Sequence, residues 1–200
     1  MARSTELLAV LLLVLTPAVA RAQEGTAPVT SKAVPLPEPP AELAKVLSVF
    51  DKEPEPQREV KRLYAQALYY LLDRNLERYL LCFHGDFELD ESGAVTKLPP
   101  DQLKARVVSL WEKTPRATLK LEELVELGKA RAYTRDQAKR WVGDWKKEPS
   151  EIARVMQDGD MLVIAPLTAK ARGGRGSDFE AELFLVFRKQ DGLWKIALGE

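Results

Sequence analysis

The chain has one cysteine and one histidine, and they stand two positions apart in "LLCFHGDFEL", residues 80–89. Cys82 and His84 are the residue types of a thiol–imidazole nucleophile or of a zinc site. A nucleophilic pair needs direct contact and a third orienting group. On a helix, positions two apart point in different directions. The stripe Leu76, Tyr79, Leu80 and Phe83 predicts helix up to about Phe83, ended by Gly85. Zinc needs three or four ligands, and no second cysteine or histidine exists to supply them. Cys82 is therefore expected as buried packing and no metal is expected. His84, at the hand-over from helix to strand, remains a candidate general base.

Carboxylates supply the other acid or base candidates. "ATLKLEELVEL", residues 117–127, alternates with period two: Leu119, Leu121, Val125 and Leu127 share a face, with Thr118, Lys120, Glu122 and Glu126 opposite. On this reading Glu123 falls on the apolar face, where desolvation would raise its pKa into a working range, while a single bulge would instead turn it outward to water. Asp86, Glu88, Asp90 and Glu91 cluster in a predicted short strand just after His84.

These residues must be positioned by the rest of the chain. Residues 1–22 have Arg3 in a short leader, an apolar run from Leu7 to Leu15, and small residues around Ala18, Ala20 and Ala22. That is the pattern of a signal peptide, with cleavage expected after Ala22, or alternatively after Ala20, and an exported product. Nine apolar residues are too few to span a bilayer, so no membrane span is expected. Residues 23–41 are proline-rich without helical periodicity and read as a disordered linker. Residues 42–200 then form a single domain. With one cysteine, no internal disulfide can staple it. Thirty basic and thirty acidic residues cancel, which gives no field to attract nucleic acid.

Within the domain, Val60, Leu63, Tyr64, Ala67, Leu68 and Leu71 form one stripe of a long helix. Leu103, Val107, Leu110 and Trp111 face inward on a helix opened by Pro100 and Asp101. Strands follow at 161–171, 179–189 and 193–198, the last two joined through Gln190-Asp191-Gly192. Thr134 and Gln137 match a capping box, and Ala138, Trp141, Val142 and Trp145 share a face, which predicts a helix inserted near 134–147. "RGGRGS", 172–177, lacks a phosphate-loop ending and reads as a β-turn. Helices followed by antiparallel strands predict α+β, with a curved antiparallel sheet wrapped around N-terminal helices.

This order of elements, closing in "FEAELFLVFRKQDGLWKIALGE", resembles the nuclear transport factor 2-like (SnoaL-like, cystatin-like) superfamily over about residues 57–200. The resemblance implies a cone-shaped roll with an apolar pocket, used by binding modules and by small isomerases, hydrolases and dehydratases. It also implies an outer sheet face that pairs protomers, here carrying Phe184 and Val186. A catalytic acid of the isomerase branch would correspond to Asp90 or Glu91. The expected occupant is a small apolar ligand or a protein partner, without a cofactor. Lining positions are Tyr64, Leu68, His84, Trp111, Glu123 and Phe187. Trp141 and Trp145 would recognise the ligand if the inserted helix lies over the cone. His84, Glu123 and Asp90 are the catalytic candidates if the protein is an enzyme.

Overall fold

A computed structural model of the chain describes residues 32–91, 94–113, 120–141, 149–169 and 179–199. The signal-peptide pattern, Trp145 and the "RGGRGS" turn lie outside the described residues. Helices α1 (Ala41–Leu47), α2 (Gln57–Leu72) and α3 (Leu76–Leu80) come first, then strands β1 (Phe83–Glu91) and β2 (Ala94–Lys97). Next are α4 (Pro100–Lys113), α5 (Leu121–Leu124), β3 (Arg131–Thr134), α6 (Arg135–Lys139) and α7 (Pro149–Ala153). Strands β4 (Met161–Ala169), β5 (Phe179–Gln190) and β6 (Leu193–Gly199) complete the chain.

The architecture is α+β, with one curved, unclosed six-stranded sheet in the order β2-β1-β6-β5-β4-β3. It is not purely antiparallel. β1 enters from the helices and runs parallel to β6, while the other neighbours are antiparallel. β5 and β6 meet in a two-residue turn at Asp191 and Gly192, with φ of 50° and 82°. Positive φ at both positions matches the twist of a tight hairpin, and glycine adopts it freely.

Two-residue periodicity splits the sheet into two apolar faces. Val163, Leu185, Phe187 and Ile196 point to the inner face, where the α2 stripe (Val60, Leu63, Tyr64, Ala67, Leu68, Leu71) covers them in the main core. Leu162, Ile164, Phe184, Val186 and Leu198 point to the outer face. That face is not left open. Ala138 of α6, Ile152 and Ala153 of α7, and Met156 pack on it as a second core. Phe184 is 6% and Val186 1% exposed, so the positions expected at a protomer interface are spent on this chain's own inserted segment.

The expected capping box is present: the Gln137 N–H donates to Thr134 Oγ1, and the Thr134 N–H to Gln137 Oε1. The helix it starts stops at Lys139 instead of running on to 147. Trp141 is half-buried and meets Tyr133 edge-on at 6.4 Å. Tyr133 packs on the outer core, so Trp141 belongs to the outer face and does not lie over the inner one.

Residues 120–129 depart most from expectation. In place of a strand there is one helical turn, α5, a single bridge from Val125 to Leu167, and a 3-10 turn over Leu127–Lys129. Leu121, Leu124, Val125 and Leu127 are buried. A helix at 121–124 buries positions three apart, where a strand would have buried alternate ones. Leu124 therefore goes in and Glu123 goes out.

Candidate functional site

α3 delivers the chain to the site. The Asn75 side chain caps it, accepting from the Arg78 N–H at 3.2 Å, and it ends at Leu80. β1 begins at Phe83, two residues before the glycine expected to end the helix. Cys82 lies in the junction, fully buried, its Sγ donating to the Arg78 carbonyl at 3.4 Å and its own carbonyl accepting from the Ile196 N–H. Burial pushes the thiol up to about 12, so it stays protonated.

His84 is half-buried on β1. Its Nδ1 accepts from the Asp86 N–H at 3.0 Å, which leaves Nε2 to carry the proton of a neutral ring. Burial and then the Arg188 guanidinium hold its pKa below the usual histidine value, against the pull of Asp86, Asp160 and Glu88. Arg188 is committed to Asp160, donating through Nε at 2.9 Å and Nη2 at 2.8 Å. Asp160 also accepts from the Gln157 N–H, so this buried carboxylate is well satisfied.

The three acid/base candidates are not brought together. Glu123 is exposed and accepts from the Lys120 N–H at 3.1 Å, a cap for α5. α5 lies beside β4, three strand positions from β1, or roughly 14 Å at the usual spacing. Asp90 pairs with Val95 six residues along β1 from His84, roughly 20 Å at strand rise.

Of the expected lining positions, Tyr64, Leu68 and Phe187 lie in the main core at 0, 4 and 0% exposed, and Trp111 is half-buried against it. The Tyr64 hydroxyl is buried without a hydrogen-bond partner, and desolvation raises its pKa far above the ordinary tyrosine range.

His84 instead lines a pocket of about 180 Å³ at the β1 end of the inner layer. Its walls are apolar: Leu80, Phe83 and Phe87, with Leu98 just after β2 and Pro100 and Leu103 from the start of α4. Gly85, Gln190 and Lys195 form its polar side, and the Gly85 N–H donates to Gln190 Oε1 at 3.1 Å. The remaining wall is Lys32, Ala33 and Val34, part of the proline-rich stretch. The Ala33 N–H donates to Asp191 Oδ2 at 2.7 Å, the Val34 carbonyl accepts from Lys195 Nζ at 2.6 Å, and Leu36 packs on the core. No sequence signal distinguishes these three residues from the rest of the stretch. Asp191 and Lys195, which hold them, read locally only as turn and strand.

No protein-family model matches the chain, and neither does any curated protein. Solved structures are similar to it at low identity. One, from Xanthomonas campestris, is described as a calcium/calmodulin dependent protein kinase II association domain. It is 17% identical, with a TM-score of 0.37 over 72% of this chain and 84% of that one. Another is an NTF-2 like protein of unknown function from Shewanella oneidensis, 12% identical, with a TM-score of 0.39 over 70% of this chain and 93% of that one.

Proposed function

We propose that the protein is an exported binding module that holds a small, largely apolar ligand non-covalently in the pocket between residues 32–34, β1 and α4. The pocket lining carries this reading: six apolar side chains converge opposite a few polar groups, the usual make-up of a small-molecule site. An enzyme acting through His84, Glu123 or Asp90 would draw on a converging set of titratable groups, and these three stand apart, His84 and Asp90 at separate positions of β1 and Glu123 on α5. A dimer through Phe184 and Val186 would first have to displace Ile152 and Met156. Export is supported by the leader pattern of residues 1–22.

The test is a titration of the full chain with 1-hexanol and related small amphiphiles, followed by calorimetry and thermal melting. Binding without conversion, with a Tm that rises with ligand concentration, is the expected result. Leu103→Trp, which fills the pocket, should abolish it. Turnover of the ligand, or binding that survives Leu103→Trp, would count against the proposal.

A further inference from the structure

Three charged side chains are buried among the described residues: Lys61, Asp160 and Lys195. A buried charge is costly unless it is paired. Lys61 has Glu53 at 2.7 Å, and Asp160 has Arg188 at 2.8 Å. Lys195, 3% exposed, has only two backbone carbonyls, Val34 O at 2.6 Å and Leu81 O at 2.5 Å. An ammonium has three donors, so one is left over and its full charge meets only partial charges. Cys82, its titratable neighbour, is a buried thiol and cannot serve as the counter-ion. Burial accordingly holds the Lys195 pKa below the usual lysine value, Cys82 pulling weakly the other way.

The two buried charges that have counter-ions do not line the pocket, and the one that lacks a counter-ion does. Lys32 and His84 share that lining, and no aspartate or glutamate is among the described lining residues. We propose that the ligand supplies the missing counter-ion: a small carboxylate whose short apolar tail lies against Leu80, Phe87 and Leu103 and whose head accepts from Lys195 Nζ. This rests on the pocket being a binding site and adds the chemical class of what it holds. A neutral amphiphile of the same length fills the apolar part and leaves the ammonium as it was.

The experiment compares hexanoate, 1-hexanol and hexylamine as ligands of the full chain by calorimetry, in the wild type and in Lys195→Met. A hydrogen bond to a charged group separates acid from alcohol by roughly tenfold or more in affinity. Hexanoate should therefore bind at least that much more tightly than hexanol, with hexylamine weakest. Lys195→Met should bring the acid-to-alcohol ratio to about one, whatever it does to the absolute affinity for either through the loss of its bond to the Val34 carbonyl. Should Lys195→Met fail to fold, the Lys195 Cε and Nζ resonances of labelled wild type replace it: they should move with hexanoate and not with hexanol. Equal binding of acid and alcohol, or a preference for acid that survives Lys195→Met, overturns the carboxylate assignment and leaves the binding site standing. If none of the three binds, both fall.

Discussion

Cys82 and His84 show what two-residue spacing decides and what it does not. The i, i+2 rule separates them if the segment is helical, yet the chain changes from helix to strand between them. They end in different surroundings all the same, Cys82 against the Arg78 carbonyl in the core and His84 beside Arg188. His84 gives the first prediction. Its folded pKa lies below the unfolded value of about 6.5, so the unfolded chain binds more protons in that window. The contribution is complete above about pH 6.5 and is lost as the pH falls. The Tm of wild type should therefore drop more between pH 7 and 5 than that of His84→Gln, and parallel curves would contradict this. Glu123→Gln weakens only the cap on α5 and should leave ligand affinity unchanged by calorimetry.

At the level of elements, strong periodicity transferred well and weak periodicity did not. The α2 stripe is buried throughout because sixteen helical residues repeat one pattern with the polar side chains outside it. Residues 117–127 offered alternation over too few residues to separate a strand from one helical turn, since Leu121 and Val125 are buried either way. The outer face was legible as apolar, but which residues cover it depends on contacts between α6, α7 and β5 that no local pattern encodes. The inserted segment should accordingly act as core. Phe184→Ala should cost about 3 kcal/mol by chemical denaturation, the usual loss for a buried phenylalanine. Phe184→Asp should unfold the chain without altering the oligomeric state of whatever remains folded. A stable, folded Phe184→Asp would contradict an outer core. Asp160→Asn removes the buried carboxylate that pairs the half-buried Arg188 and should cost about 3 kcal/mol, the usual penalty for breaking such a pair.

For the whole molecule, composition and element order were sufficient for the α+β class, because helices covering a strand-rich C-terminal half can bury both sets of apolar stripes in few ways. The parallel β1–β6 pairing was not legible, since it joins segments about a hundred residues apart. Nor was the pocket, which needs residues 32–34, β1, α4 and the β5–β6 turn at one end of the sheet. If the chain is exported as proposed and the proline-rich stretch completes that wall, the mature product should keep Lys32 to Leu36, and its intact mass should start near Gln23. The most direct measurement is chemical-shift mapping of the folded chain during titration with hexanoate. If the pocket is the site, perturbed resonances should gather on Ala33, Leu80, Phe87, Leu103 and Lys195. Shifts gathered instead on Tyr64, Leu68 and Phe187, or none at saturating ligand, would contradict it.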